Sequence, residues 1–268
     1  MQKVLCTLSV AILSAALGSV ALAADIARPV YKAPAAAPAP FSWTGFYIGG
    51  HVGYGWADTD ATIRPNSAGI AFDAPVFNFS DDGAVGGGQI GYNWQFAPNW
   101  LIGIEGDISA TGIGSSSSAT LTIGGVQFPP NGHSMSYDID WVATLRGRLG
   151  YTWDRSMLYL TGGFAWADVK GTSFTMLGGG LAVFPGSFSD TVSGWTIGGG
   201  WEWAFAPNWS ARLEYLYYDL DGISGVSFNT PPTLSTANTW NDTELHVVRI
   251  GVNYRFGDYG KAPVVAKY

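Results

Sequence analysis

HVVRIGVNYRF, residues 246–256, alternates between two kinds of side chain. The even positions carry an apolar and aromatic stripe that begins at His246 and ends at Phe256, whereas Arg249, Asn253 and Arg255 occupy odd positions. Because successive side chains of a β-strand point to opposite faces, this stretch predicts a strand with one apolar and one polar face. Its length is that of a tilted strand crossing a bilayer, which needs ~9–11 residues.

The same alternation recurs along the chain and predicts the fold class. The eight alternating segments are 43–56, 84–96, 100–109, 137–151, 157–167, 193–203, 209–219 and 246–256. Beyond the N-terminal region there is no apolar run of the ~20 residues that a transmembrane helix requires. A closed barrel is the other structure that satisfies every backbone polar group in lipid. The sequence therefore predicts an all-β fold, an eight-stranded antiparallel up-and-down transmembrane β-barrel.

The connections between these segments alternate in length. Three are short, at 97–99, 152–156 and 204–208, and four are long and rich in Gly, Ser, Thr, Asn and Pro, at 57–83, 110–136, 168–192 and 220–243. Short periplasmic turns and long extracellular loops are typical of outer-membrane barrels. Since the strand count is even, both termini are expected in the periplasm of a Gram-negative cell.

Composition divides the chain into four predicted regions. Residues 1–23 have a basic start, an apolar stretch and an A-x-A ending, which predicts a secretory signal peptide. Residues 24–42 are a Pro/Ala-rich periplasmic linker, 43–256 the outer-membrane β-barrel, and 257–268 a C-terminal periplasmic tail. Cys6 is the one cysteine and precedes the apolar stretch, so neither a lipoprotein anchor nor a disulfide framework is expected.

The apolar stripes are predicted to face lipid, although a soluble ligand-carrying barrel would show the same period with the apolar face inside. The stripes end in side chains typical of a membrane interface: Trp94, Phe96, Trp100, Tyr151, Trp203, Trp209, Tyr254 and Phe256. The strand segments from 43 to 256 carry no lysine, which a water-facing outer wall would need. Both features favour the membrane barrel.

Charged residues on the opposite face predict a network inside the barrel. Its expected members are Glu105, Asp107, Asp140, Arg146, Arg148, Glu202, Arg212, Glu214 and Arg249. An eight-stranded barrel is just wide enough for side chains to fill, so these groups are expected to plug the bore. Arginine suits this role because its planar fork pairs bidentately with carboxylates. A narrow ion path and a catalytic site remain alternatives.

Motifs for enzymatic or nucleic-acid chemistry are sparse. The histidines are His51, His133 and His246, and no H-E-x-x-H motif, phosphate-binding loop or metal-ligand spacing is present. We therefore predict no catalytic residue, no metal and no cofactor. The net charge of −7 argues against a nucleic-acid partner. Asp81, Asp82, Asp219 and Asp221 are interpreted as solvated loop acids, with an outer cation site as the alternative.

Two segments resemble a known family. FSWTGFYIGG at 41–50 and VRIGVNYRF at 248–256 are similar to the outer-membrane immunogenic proteins, small surface-antigen barrels of the porin superfamily from alphaproteobacteria. The resemblance implies an eight-stranded barrel with a role in envelope integrity and surface exposure. Some members bind haem, but no motif here carries that property over. Barrels of this kind often end at a terminal aromatic, whereas 257–268 follows Phe256, so either Phe256 or Tyr268 is the residue read during assembly.

These features predict a structural outer-membrane surface barrel. A small-solute porin with a narrow pore is the main alternative, and a barrel enzyme or an adhesin or ligand receptor are two others. The expected partners are outer-membrane lipid, lipopolysaccharide and, during insertion, the barrel-assembly machinery.

Overall fold

In a computed structural model, the described residues are 41–67, 76–123, 126–177, 182–229 and 234–257. Their strands are β1 Gly45–Ser67, β2 Val76–Ala97, β3 Trp100–Ile123, β4 Val126–Trp153, β5 Ser156–Leu177, β6 Ala182–Trp203, β7 Trp209–Leu220, β8 Ser224–Asn229 and β9 Leu234–Arg255. Within these ranges no helix has the length and apolar character that crossing a membrane requires. The predicted signal peptide, and most of the predicted linker and tail, lie outside the described residues.

Strand pairing closes the sheet into a barrel. Each strand from β1 to β6 pairs antiparallel with the next, β7 pairs with β9, and β9 returns to β1. The ring therefore has eight strands, which confirms the predicted fold class. β8 is an additional short strand that pairs with β9 beyond the end of β7 at Leu220. Closure leaves the ring without the unpaired edges of an open sheet.

One end of the barrel, here called the turn side, carries the short connections. Ala97 pairs with Trp100, and Trp153 pairs with Ser156, so the first two connections are tight turns. In the second turn Asp154 has φ 49°, a left-handed conformation that Asp tolerates better than most residues.

The opposite end, here called the extended side, carries long connections that are largely strand. β1 and β2 stay paired as far as Thr62 and Val76, and β3 and β4 as far as Ile123 and Val126. Most residues predicted to form loops therefore lie in strands instead. These segments alternate Ser, Thr, Asp or Gly with small apolar residues, and that weak contrast is typical of loops in sequence.

An outward-facing band of apolar side chains runs between two aromatic belts. All eight predicted interfacial aromatics point outward at the turn side, as the first belt. The second belt contains Tyr54, Trp56, Trp166, Trp195 and Tyr215. On β6, Trp195 and Trp203 belong to opposite belts and lie eight residues apart. At ~3.3 Å per residue this is about 26 Å along the strand, the scale of a membrane band.

Beyond the second belt the side-chain chemistry reverses. Outward positions there are polar, as with Asp58 and Asp60 on β1, whereas the inward neighbours Ala57 and Ala61 are buried. We call this part of the barrel the extended region. Its interior is an apolar cluster that includes Val85, Ile113, Met135, Tyr137, Ile139, Val142, Leu216, Leu220 and Leu245.

Candidate functional site

Ionised side chains fill the middle of the barrel interior. Eight of the nine residues predicted for the network lie there, each at most 7% exposed: Glu105, Asp107, Arg146, Arg148, Glu202, Arg212, Glu214 and Arg249. Four are arginines and four are carboxylates, so the formal charges cancel. Burying a charge is costly unless it is paired and hydrogen-bonded, and this balance meets the first condition.

Strand register brings opposite charges together on neighbouring strands. Glu105 on β3 pairs in register with Arg146 on β4, and Arg146 Nη2 lies 2.6 Å from Glu105 Oε1. Glu214 on β7 pairs with Arg249 on β9, and Arg249 Nε donates to Glu214 Oε2 at 2.6 Å. Arg146 Nη1 also reaches Glu214 Oε1 at 3.1 Å. The two cross-strand pairs therefore join into one cluster.

Other ion pairs cross the bore. Arg212 Nη1 on β7 donates to Glu105 Oε2 on β3 at 2.6 Å. Arg249 Nη1 on β9 donates to Asp107 Oδ1 on β3 at 2.9 Å. In the ring of eight strands β7 lies opposite β3 and β9 lies three strands from it, so both contacts cross the interior and connect separate parts of the wall.

Arg148 extends the network toward the turn side. Its Nη2 donates to Glu202 Oε2 at 2.9 Å, and its guanidinium carbon lies 4.0 Å from the centroid of the Tyr159 ring. Glu202 accepts further hydrogen bonds from Ser210 Oγ at 2.6 Å and from Asn253 Nδ2 at 3.0 Å. The carboxylate is thus held by three donors, one of them charged.

Two tyrosines belong to this network, and sequence analysis did not select them. Tyr47 donates to Glu105 Oε2 at 2.6 Å and accepts from Arg148 Nη1 at 2.9 Å. Tyr159 donates to Glu214 Oε1 at 3.0 Å. By alternation both lie on the polar face of their strand, and this position is the sequence signal that could have identified them. Because tyrosine is uncharged, a prediction based on charged residues does not include them.

His51 is a hydrogen-bonding link within the interior. Its Nδ1 donates to Gln89 Oε1 at 2.6 Å, which leaves Nε2 to accept from Ser109 Oγ at 2.7 Å and Arg249 Nη1 at 3.3 Å. Gln89 Nε2 in turn donates to Asn253 Oδ1 at 2.7 Å. Both ring nitrogens are therefore occupied by protein groups.

The prediction that Asp140 lies in the interior is wrong. Its side chain is 45% exposed and pairs with Lys170 on the outer surface. The pairing of β4 with β5 shifts register between Ile139 and Trp141, and a β-bulge at this point reverses the parity of the strand. Ile139 and Val142 are consequently both buried, and Asp140 between them points outward.

Apolar layers lie on either side of the charges. On the extended side is the cluster already described, to which Ala165, Ala167, Val169 and Val192 also belong. On the turn side Trp43, Leu101, Met157, Tyr159 and Ala204 form a second buried cluster. The ionised groups are thus enclosed between two apolar layers.

The chain before β1 closes the turn side through a contact here called the clasp. Trp43 is fully buried, and Arg255 stacks on it with its guanidinium carbon 4.8 Å from the ring centroid. The same guanidinium lies 4.4 Å from the ring of Phe41 and donates to the Ser42 carbonyl at 2.8 Å. Trp43 N donates to Gln95 Oε1 at 3.0 Å. Phe41 and Ser42, assigned to the linker by sequence, are therefore packed against the barrel.

The remaining histidines do not join this site. His246 lies on the outer surface and contacts the Tyr215 hydroxyl through Nδ1 at 2.7 Å. His133 belongs to β4, but its side chain is outside the described part of the chain. The described residues contain no group of three or more His, Cys, Asp or Glu side chains arranged to hold a metal ion.

The closed ring, the outward apolar band and the aromatic belts together define a transmembrane β-barrel. The chain belongs to the family described as outer membrane protein beta-barrel domain, whose model matches residues 26–256. It is therefore an outer-membrane barrel.

Similarity to two outer-membrane proteins agrees with this membership. The 31 kDa outer-membrane immunogenic protein of Brucella melitensis is 34% identical over 252 residues, which cover 88% of this chain and 93% of that protein. The 22 kDa outer membrane protein of Rhizobium leguminosarum bv. viciae is 32% identical over 192 residues, 68% of this chain and 70% of that protein. The crystal structure of Neisserial surface protein A matches at 13% identity and a TM-score of 0.37, with 80% and 98% coverage.

Proposed function

We propose that this protein is a structural surface barrel that maintains the envelope and displays its extended region as a surface antigen. The observation that carries the proposal is the filled interior, in which paired charges are enclosed by two apolar layers. A side-chain network that crosses the bore braces the wall and leaves little room for solute. Surface-antigen status is supported by similarity to the Brucella immunogenic proteins.

In this proposal the turn side faces the periplasm, with both termini there, and the extended region faces the cell exterior. Short periplasmic turns and longer outer connections are the usual arrangement of such barrels. The apolar band would contact outer-membrane lipid, and the polar surface above it would meet lipopolysaccharide. The barrel-assembly machinery would read β9, whose outward stripe continues to Phe256.

Planar-bilayer recording of the purified protein tests this function against the small-solute porin. We expect no conductance steps under conditions in which a general porin gives them. Asp107→Asn and Asp140→Asn provide a matched pair, because the first alters a buried cross-bore contact and the second an outer-surface one. Wild-type steps that change with Asp107→Asn and not with Asp140→Asn would show ion passage through the network and refute the structural function.

A further inference from the structure

Two rows of outward side chains cross β1, β9 and β7 at the upper edge of the apolar band. In one row Trp56 and Tyr217 both pair in register with His246. Two residues further toward the extended side, Asp58 and Asp219 both pair with Glu244. We call these two rows, together with Tyr215, the outer patch.

The aromatic row is held in a fixed arrangement by its own contacts. The rings of Trp56 and His246 stack with centroids 5.5 Å apart and planes 11° apart. Tyr217 meets His246 edge-on at 5.2 Å, and the Tyr215 hydroxyl lies 2.7 Å from His246 Nδ1. Trp56 nevertheless keeps 39% of its surface exposed, and Tyr215 43%. The row therefore offers pre-positioned π faces to the surroundings.

In the part of the chain that the structure describes, no salt bridge joins the carboxylate row to a basic side chain. Like charges directly opposite each other on neighbouring strands destabilise a sheet. Among the described residues, the salt bridge of the outer surface joins Lys170 to Asp140 on β4 and β5, away from this row. A cation from outside would relieve the repulsion.

An open apolar groove lies below the outer patch on the same strands. It has a volume of about 640 Å³ and is lined by Gly50, Val52, Trp201, Ala211, Leu213, Ile250 and Val252, among others. Its wall at Ile250 is four residues from His246, about 13 Å along β9. The groove lies within the apolar band, at acyl-chain depth, whereas the outer patch lies where the outer surface becomes polar, at headgroup depth.

We propose that the outer patch and this groove together bind one surface lipid whose headgroup carries an ammonium group. Aromatic faces attract cations, and the three carboxylates add a charge of the required sign. The groove accepts an acyl chain of the same molecule. A soluble basic peptide would gain the charges but not the groove, which is why the geometry points to a lipid.

Native mass spectrometry of the full-length protein, loaded with equimolar phosphatidylethanolamine and phosphatidylglycerol, tests the headgroup preference. We expect the wild type to retain phosphatidylethanolamine about fivefold over phosphatidylglycerol, as modest cation–π contacts give. The triple variant Asp58→Asn, Asp219→Asn, Glu244→Gln should lose this preference. The triple variant Asp138→Asn, Asp168→Asn, Asp190→Asn removes as much charge on β4, β5 and β6 and should retain it.

Two further variants complete the test: one adds a side chain to the groove, and the other replaces the first triple variant if that variant does not fold. A Cβ on Gly50 would meet its nearest atom, the Gly87 carbonyl oxygen, at 3.6 Å, an ordinary van der Waals contact, so Gly50→Leu adds a side chain to the wall of the groove. It should reduce total retained lipid while preserving the headgroup ratio. If the first triple variant does not fold, Trp56→Leu replaces it and should halve the ratio or more. Equal retention of both lipids by the wild type, or the same loss of preference in both triple variants, would overturn the proposal. Binding of added oligolysine by a wild-type protein that shows no preference between the two lipids would also overturn it.

Discussion

The apolar band and the extended region are built from the same strands, yet their chemistry is opposite. On β6, Ile197 and Trp201 face outward in the band with Glu202 buried inside. Further along the same strand, Thr191 faces outward and Val192 is buried. Side chains alternate between the inner and outer face along the whole strand. The apolar side chains, however, are on the outer face in the band and on the inner face in the extended region.

This exchange shows that the medium outside the barrel determines which face of a strand is apolar. In the band the outside medium is lipid, so apolar side chains face out and the interior can hold ionised groups only as a paired network. In the extended region the outside is water, so the barrel follows the rule of soluble proteins and buries its apolar side chains. Alternation therefore reports strand geometry, and the identity of the apolar face reports the medium.

The largest expected difference in stability is between removing a charge from the barrel interior and removing one from the outer surface. Glu214→Gln leaves Arg146, Arg212 and Arg249 with one carboxylate fewer, and removing one partner of a buried ion cluster costs about 3–5 kcal/mol. Glu244→Gln makes the same change on the outer surface and should shift stability by less than about 0.5 kcal/mol. Urea unfolding in lipid vesicles, followed by tryptophan fluorescence, measures both. Equal shifts would show that the interior charges are not a coupled network.

An arginine on the outward face distinguishes the two media directly. Ile197→Arg places a charge within the apolar band, where the expected cost is about 2–4 kcal/mol. Thr191→Arg lies six residues away on the same strand and the same face, in water, and should be nearly neutral. The fraction of each variant that reaches the heat-modifiable folded form on gels gives the comparison. If Thr191→Arg impaired insertion as strongly, the upper edge of the band would be misplaced.

The smallest expected difference in stability is between removing a methylene from the buried interior of the extended region and removing one from the lipid-facing band. Ile139→Val removes one methylene from the buried interior of the extended region, where Ile139 is 1% exposed, and should cost about 0.5–1.5 kcal/mol. Ile104→Val removes the same group from the lipid-facing band, where lipid replaces the lost contacts, so almost no change is expected. The unfolding midpoints of the two variants test this order, and the reverse order would contradict the proposed facing of the strands.

Strand parity made much of the barrel predictable. Alternation such as that of 246–256 needs only side-chain polarity, and the tight turns at Pro98-Asn99 and Asp154 contain residues typical of turns. The eight buried charges were found because ionised residues on one face of a membrane strand must point away from lipid.

Other features of the barrel could not be predicted from the alternation of side chains alone. The exchange of polarity beyond Trp56 made strand residues of the extended region resemble loop residues, since Asp58 and Asp60 are typical of solvent-exposed connections. The bulge at Asp140 depends on backbone pairing with two neighbouring strands, so alternation extrapolated along β4 gave the wrong side. Cross-bore partners such as Arg212 and Glu105 depend on barrel closure, a property of the whole ring.

The clasp couples the two ends of the barrel sequence. Arg255 ends the final strand, whereas Phe41 and Trp43 precede the first one, and their stacking requires β1 and β9 to be neighbours. A chain truncated before β9 would keep an indole without its cation and an open turn side. The turn side is thus sealed only when the first and last strands of the ring have paired, so the cation–indole contact depends on barrel closure.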